Sequence, residues 1–168
     1  IVQSLSGDWT NHVYNGKGRL FLYDDLFYDG DWVNSKMEGK GKYEKLKSYI
    51  YEGDFTNNKF NGTGTMTNAN GWIYEGNWLN GSLDGKCKKT SPKGYSIEGF
   101  LSNEKFIGSG VFELQDGTIF RGTMTLENDK ISAGEGRLSY PNGDTLHVQW
   151  NKDGYIGTGR RIFGNGWI

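Results

Sequence analysis

The residues that could carry catalysis are few and lie far apart in the chain. The sequence has one cysteine, Cys87, and two histidines, His12 and His147. Nucleophilic catalysis requires a thiol or hydroxyl within hydrogen-bonding reach of a base. We predict that neither histidine activates Cys87, and we interpret Cys87 as a buried, inert thiol and His147 as a surface residue.

Two further patterns suggest chemistry. The paired carboxyl groups that a glycosidase needs occur twice, as Asp29 with Asp31 and as Glu52 with Asp54. The recurrent Gly-x-Gly could suggest a phosphate-binding loop. It lacks the third glycine of a dinucleotide-binding loop, however, and it opens a strand rather than a helix, which argues against phosphate binding. The ligand spacings of zinc and calcium sites are also absent from the sequence. We therefore predict no catalytic residues, no cofactor and no metal site, and we expect that the domain is not an enzyme by itself.

Composition limits the class of protein. At 168 residues with 35% hydrophobic content, the chain is predicted to form one domain, residues 1–168, with a thin core. Glycine is abundant at 27 residues, proline is rare at 2, and aromatic residues reach 15%, which argues against both collagen and disorder. A net charge of −1 gives no bulk attraction to polyanions, so we predict no nucleic-acid partner.

Targeting signals do not stand out in the sequence. No apolar run approaches the ~20 residues that a membrane helix needs, and the start has neither the basic end nor the apolar stretch of a signal peptide. A single cysteine cannot form an internal disulfide, which favours a reducing, cytoplasmic location. Because the chain begins at Ile1 rather than Met, we interpret it as a domain excised from, or forming part of, a longer protein.

A repeat of 23 residues organises the whole sequence. Its clearest copy has Tyr51, Gly53 and Phe55 at alternate positions, followed by Gly62 and Gly64. The copies begin near residues 5, 28, 51, 74, 97, 120 and 146, so that five steps are 23 residues and one is 26. A fixed period in this range is typical of proteins built from stacked structural repeats.

The pattern Tyr-x-Gly-x-Trp, six residues, then Gly-x-Gly resembles the MORN repeat family. The resemblance runs from Leu5 to the end and is weaker in the later repeats, where Leu101, Met124 and Val148 depart from the pattern. The histidine that family members often carry just before the Gly-x-Gly is absent, and its position holds Asn15, Glu38, Asn61, Asp84, Ile107, Ala133 and Ile156. The resemblance implies a non-catalytic scaffold that organises protein partners, often at a membrane or the cytoskeleton, or the accessory domain of a larger enzyme.

Alternation of large and small residues predicts β-strands, since apolar residues do not recur at a helical period. Turn signals at a fixed phase, such as Asn70-Gly71 and Asn165-Gly166, favour three-residue hairpin loops. This loop length pairs Gly64 with Gly76, and each glycine leaves room for a ring to lie across the sheet. Opposite charges are then predicted to pair on the other face, as Arg19–Asp29, Lys17–Asp31, Lys42–Glu52, Lys40–Asp54 and Lys88–Glu98. We therefore interpret the acidic pairs as neutralised surface charges.

These observations predict an all-β fold, an elongated single-layer antiparallel sheet of stacked β-hairpin repeats. One face carries an aromatic stripe that either covers its own glycines or is covered by a partner. We predict that a protein partner, or a second copy of the chain, docks on this face around repeats two to four. The candidate residues are Tyr28, Trp32, Tyr51, Phe55, Trp72, Tyr74 and Trp78.

Two other binding functions stay open. The family's name suggests a phospholipid-binding, membrane-tethering module, although paired acidic and basic rows leave no net positive face for anionic headgroups. A carbohydrate-binding module could stack sugar rings on exposed aromatic side chains. It would need polar groups beside the rings, where this sequence has mainly glycine.

Overall fold

The computed structural model describes residues 2–22, 25–103, 105–114, 116–127, 130–151, 154–155 and 161–162. Regular secondary structure over these residues consists of β-strands that pair antiparallel, which confirms the predicted fold class. None of the described residues forms a helix with the length and apolar character needed to span a bilayer. The chain divides into two compact units, residues 1–87 (the first unit) and 88–168 (the second unit).

Strands in the first unit pair in chain order, each with the next. Their bounds are β1 (Val2–Thr10), β2 (Val13–Leu22), β3 (Leu26–Val33), β4 (Lys36–Lys45), β5 (Tyr49–Thr56), β6 (Lys59–Asn68), β7 (Ile73–Leu79) and β8 (Ser82–Thr90), the last of which ends in the second unit. The other strands of the second unit are β9 (Ser96–Ser102), β10 (Lys105–Glu113), β11 (Ile119–Glu127), β12 (Lys130–Ser139), β13 (Thr145–Asn151), β14 (Gly154–Tyr155) and β15 (Arg161–Ile162). Strands β9 to β14 pair in order, and β15 pairs with β13.

Three-residue loops join one repeat to the next, as predicted. The Asn68 amide donates to the Trp72 carbonyl oxygen at 3.0 Å, and the Gly71 amide donates to the Asn68 carbonyl oxygen at 2.9 Å. Gly71 has a φ of 81°, the left-handed conformation that ends this type of loop. Equivalent hydrogen bonds close the loops at 91–95, 114–118 and 140–144. The turn predicted at Asn165-Gly166 lies outside the described residues.

Two-residue turns join the two strands of each repeat in repeats one to four. Asn34 and Ser35 have φ of 50° and 60°, and Asn57 and Asn58 have φ of 52° and 65°. Positive φ at both central residues defines the type I′ turn, whose twist suits a hairpin and which Asn adopts readily. The recurrent asparagine between the two halves of a repeat was the signal for these turns, and we did not predict them.

The strand register confirms the predicted face assignment. Gly64 lies opposite Gly76, and Gly62 lies opposite Trp78. Because side chains alternate along a strand, glycines and rings point to one face, the aromatic face, and charged residues point to the other, the charged face.

A β-bulge interrupts this register in repeats two and three. In repeat two, the pairing of Gly30 with Gly41 is followed by that of Asp31 with Glu38, so that two residues of β4 leave the ladder. The first of them, Gly39, has a φ of 63°, which glycine adopts without strain. In repeat five, by contrast, β9 and β10 pair without interruption.

The core of the first unit is a row of rings on the aromatic face. Its buried members are Tyr14, Tyr28, Trp32, Tyr51, Phe55 and Trp78. The buried apolar residues of the second unit include two rings, Phe106 and Phe120. The others are not aromatic, namely Ile97, Met124, Leu126, Leu138 and Val148.

Candidate functional site

Rings on the aromatic face lie over pairs of glycines. The ring of Tyr51 covers Gly64, where an added Cβ atom would lie 2.3 Å from the Tyr51 Oη and 2.5 Å from its Cζ. The ring of Tyr28 covers Gly41 in the same way. Glycine is needed at both positions because any side chain there would occupy the volume of the ring.

Hydrogen bonds to backbone carbonyls hold these rings in place. The Tyr51 hydroxyl donates to the Asp54 carbonyl oxygen at 3.0 Å, and the Trp78 Nε1 donates to the Gly64 carbonyl oxygen at 3.1 Å. Burial, helped by the nearby Asp54 carboxylate, raises the pKa of Tyr51 to about 12, so its hydroxyl stays a donor at neutral pH. The polar ends of the rings are thus satisfied inside the protein.

Five of the seven predicted docking residues are buried. The exposed fraction is 0% for Tyr28 and Tyr51, 2% for Phe55, and 6% for Trp32 and Trp78. Their rings pack edge to face, with centroid distances of 5.0 Å for Tyr28–Phe55, 5.3 Å for Tyr51–Phe55 and 5.2 Å for Tyr51–Trp78. In this region the aromatic stripe covers itself, and these five rings form the core.

The other two predicted residues, Trp72 and Tyr74, are partly exposed and belong to a larger patch. Tyr74 lies opposite Met66, and Trp72 closes the loop from Asn68, the cross-strand partner of Tyr49. The Tyr49 ring stacks on that of Tyr43 with centroids 6.0 Å apart and an interplanar angle of 18°. We call these five partly exposed side chains the open aromatic patch: Tyr43, Tyr49, Met66, Trp72 and Tyr74.

Three residues of the patch, Tyr43, Tyr49 and Met66, were not among the candidate docking residues predicted from the sequence. Tyr43 follows Gly41 by two positions, as Met66 follows Gly64, and this shared spacing was the signal that could have identified these two. Burial, together with the neighbouring Tyr49, raises the pKa of Tyr43 to about 12.

Repeat four differs from its neighbours at Cys87, which replaces the second glycine. A Cβ atom added to Gly76 would lie 2.8 Å from the Cα and 2.9 Å from the Cβ of Cys87, so the two residues are in close contact. Cys87 is 3% exposed, and its side chain takes space that the ring of Tyr51 fills in repeat three. Tyr74, the residue of repeat four at the position of Tyr51, is correspondingly less buried.

All five predicted charge pairs form on the charged face. Their nitrogen–oxygen distances are 2.5 Å for Lys17–Asp31, 2.9 Å for Arg19–Asp29, 2.6 Å for Lys40–Asp54, 2.9 Å for Lys42–Glu52 and 3.6 Å for Lys88–Glu98. Asp54 also accepts hydrogen bonds from the amide and hydroxyl of Thr63, both at 2.8 Å. The Lys40 ammonium, followed by these Thr63 donors, lowers the pKa of Asp54. These carboxylates are therefore ion-paired surface groups.

The residues first considered for catalysis lie in unlike environments. His12 is exposed in the turn after β1, Cys87 is buried on β8, and His147 is exposed on β13 opposite Arg137. Within the described ranges, no cluster of three or more His, Cys, Asp or Glu side chains could hold a metal ion. The aromatic face and the charged face therefore offer a binding partner apolar and charged contacts.

In the first unit, the side chain before each Gly-x-Gly links its repeat to the following one. Its oxygen accepts a hydrogen bond from the first turn residue of the next repeat: Asn34 to Asn15 at 2.9 Å, Asn57 to Glu38 at 2.8 Å, and Asn80 to Asn61 at 3.3 Å. From the sequence, this position stood out only because it lacks histidine. In repeat five it holds Ile107, which cannot accept a hydrogen bond and is 58% exposed.

Comparison with known proteins identifies a repeat family. A family model described as MORN repeat matches residues 6–24, 28–45, 51–73, 74–94 and 132–145, more than half of the chain. No curated protein sequence matches the chain.

Two solved structures match the chain at low sequence identity. The chain is 13% identical to the TCP domain of SAS-4 (dCPAP) of Drosophila melanogaster in complex with a proline-rich motif of Ana2 (dSTIL), with a TM-score of 0.43 over 90% of this chain and 80% of that chain. It is also 13% identical to the TCP10 domain of Danio rerio CPAP in complex with a peptide of Danio rerio STIL, with a TM-score of 0.29 over 94% of this chain and 99% of that chain.

Proposed function

The chain belongs to the MORN repeat family, and on this premise we propose that it is a non-catalytic scaffold that binds a protein partner through the open aromatic patch. We treat residues 1–168 as one repeat domain and place it in the cytoplasm, which the single cysteine favours. The family resemblance implies a position at a membrane or cytoskeletal structure there. One observation carries the proposal. Aromatic side chains stay partly exposed at this patch although the neighbouring rings on the same face are buried.

The composition of the patch suits protein recognition. Tyr and Trp are the residues most enriched at binding hot spots, and Met adapts its shape to a partner. The patch also stands on rigid support, because the adjoining Tyr51 is fully buried and stacks on Phe60 with centroids 3.9 Å apart. A prearranged surface loses little conformational entropy when it binds.

The charged face of the first unit is a weaker candidate. Four of its basic residues are ion-paired with carboxylates on adjacent strands, namely Lys17, Arg19, Lys40 and Lys42, so these rows offer an anionic membrane no net positive surface. Displacing these pairs would expose the separated charges and cost their mutual attraction. Buried rings also leave few faces on which a sugar could stack, which disfavours carbohydrate binding.

Selection of a displayed random-peptide library against the folded protein tests the proposal even though the partner is not identified. We expect the selected peptides to bind the parent protein and to lose at least about tenfold in affinity with Trp72→Ala, because Trp is a frequent hot-spot residue. Fluorescence anisotropy measures the affinity. Trp72 is only partly buried, so a circular dichroism melt should stay close to that of the parent.

Leu79→Ala is the matched control, since Leu79 is an apolar side chain of the same unit that is 53% exposed and lies outside the patch. Its variant should bind the selected peptides as the parent does. Selected peptides that bind folded Trp72→Ala and the parent equally would refute the proposed site. If sedimentation instead showed a dimer of the parent that Trp72→Ala dissociates, the partner would be a second copy of the chain.

A further inference from the structure

Part of the charged face of the second unit departs from the pairing of opposite charges, although Lys88–Glu98 and Lys105–Glu127 are paired on the same face. Arg121 lies opposite Arg137, and Arg137 lies opposite His147, so that three neighbouring strands present cationic or titratable groups in one row. All three side chains are exposed. We call this row the arginine row. At ~4.8 Å between strands it spans roughly 10 Å.

The two arginines have no carboxylate partner among the residues that the structure describes. Arg137 donates from Nη2 to the Thr145 hydroxyl at 3.3 Å. Two acidic residues on this face lie diagonal to an arginine rather than opposite one. Glu113 lies opposite Ile119 and is ion-paired with Lys93, and Glu135 lies opposite Thr123 and Gln149. Like charges placed directly across two strands destabilise a sheet, so the arginine row does not serve the stability of the fold.

An exposed apolar pair lies on the same face of the same unit. Phe100 and Ile107 are cross-strand partners, and each is 58% exposed. Phe100 occupies the repeat position of Asp31 and Asp54, and therefore replaces an ion-paired carboxylate with an open ring. Val111, the partner of Arg121, lies four positions after Ile107, a distance of about 13 Å at ~3.3 Å per residue.

We propose that this face of the second unit binds an extended acidic peptide segment of a partner protein. An apolar side chain of the segment packs on Phe100 and Ile107, and carboxylates about four residues further along pair with the arginine row. This surface is separate from the open aromatic patch, and it would give the scaffold a second docking face.

The surrounding charges favour a narrow peptide over a membrane or nucleic acid. Glu98 and Glu127 lie on the same face, where they are ion-paired with Lys88 and Lys105, and Glu135 is exposed beside the arginine row. A wide polyanion would cover these balanced ion pairs and Glu135 as well as the arginines, so little net positive charge would face it. An extended segment covers only the strip from Phe100 and Ile107 to the arginine row.

The probe for the test is a synthetic peptide in which a phenylalanine is followed, about four residues later, by a run of glutamates. We expect it to bind the full chain, and we expect Arg121→Thr and Arg137→Thr to weaken binding roughly tenfold each, as the loss of a charge-assisted contact does. Phe100→Thr should weaken it by a similar factor. Binding should also fall as salt shortens the Debye length.

Three controls separate this site from general charge attraction. Arg19→Thr removes an arginine that Asp29 already pairs, so it should leave peptide affinity unchanged. A peptide with glutamines in place of the glutamates should bind at least about tenfold more weakly. The variants of the arginine row should melt no lower than the parent, because each relieves a like-charge contact.

Two outcomes would overturn the proposal. One is equal peptide affinity for the parent and for a folded Arg121→Thr/Arg137→Thr double variant. The other is arginine-dependent binding to phosphatidylserine vesicles without binding to the acidic peptide, which would make the face a lipid surface. Trp72→Ala should leave the affinity for this peptide unchanged, so the outcome here is independent of the outcome at the open aromatic patch.

Discussion

Repeats two and three share the Gly-x-Gly spacing of repeat five but cover their glycines from a different strand. In repeats two and three the ring comes from the first residue of the repeat, Tyr28 or Tyr51. In repeat five that residue is Ile97, and Phe106 covers Gly108 instead. What this packing requires is a ring over a glycine, and either strand of the hairpin can supply it.

The same two regions differ at the residue after the first glycine. In repeat three this residue is Asp54, whose carboxylate accepts the Thr63 amide within the bulge. In repeat five it is Phe100, and the strands pair without a bulge. The presence of Asp54 or Phe100 at this position therefore correlates with the presence or absence of the bulge. It also decides whether a carboxylate or an apolar ring lies on the charged face.

The largest expected effect comes from removing the ring of repeat five. Phe106 is 1% exposed, so Phe106→Ala should lower the free energy of unfolding by about 3–5 kcal/mol through the cavity left over Gly108. Met37 has the same repeat position but is only partly buried, so Met37→Ala should lower it by about 1–2 kcal/mol. Denaturant unfolding measures both values. Equal losses in the two variants would mean that Phe106 and Met37 contribute equally to stability. Repeats two and five would then not differ in which strand supplies the ring over the glycine.

A side chain at Gly64 should have the next largest effect. Gly64→Ala should destabilise by about 1–3 kcal/mol, because the new methyl group overlaps the ring of Tyr51. Cys87 has the equivalent position in repeat four and already carries a side chain, so Cys87→Ala should change stability by about 1 kcal/mol or less. Thermal melts test the pair. A Gly64→Ala variant as stable as the parent would show that the ring can move aside.

Acid should weaken the first unit through Asp54. The folded-state pKa of this carboxyl is lowered, chiefly by Lys40, from an ordinary value of 3.8. Its contribution is therefore present above pH 3.8 and is lost as the pH falls through the lower folded-state pKa. Asp54→Asn should reduce the dependence of unfolding free energy on pH below about pH 4. An unchanged pH dependence in Asp54→Asn would contradict this linkage.

The smallest expected effect is a difference between two arginines. Arg19→Thr removes an ion pair with Asp29 and should destabilise by about 0.2–1 kcal/mol. Arg137→Thr removes a like-charge contact with Arg121 and should be neutral or slightly stabilising. Chemical denaturation of both variants in low salt compares them. Equal destabilisation would show that Arg137 has a stabilising partner after all.

Repeat period, strand character, loop length and the paired charges followed from the sequence. Each depends on a local rule: alternation in a strand places side chains on defined faces, and a glycine at a left-handed position selects the three-residue loop. Once the loop length is known, the cross-strand partners of Lys17, Arg19, Lys40, Lys42 and Lys88 follow by counting. The aromatic face was identified for the same reason.

Which aromatic residues are buried was decided only by the tertiary structure. Tyr51 and Tyr74 have the same repeat position, yet Tyr51 is 0% exposed and Tyr74 is partly open. The difference depends on whether a glycine or Cys87 lies on the adjoining strand, and on rings such as Phe60 that approach from another strand. In repeat five, where Phe100 and Ile107 replace polar residues, the strands pair without a bulge. A sequence pattern states which residue types recur, but burial and register depend on the volumes that several strands bring to one place.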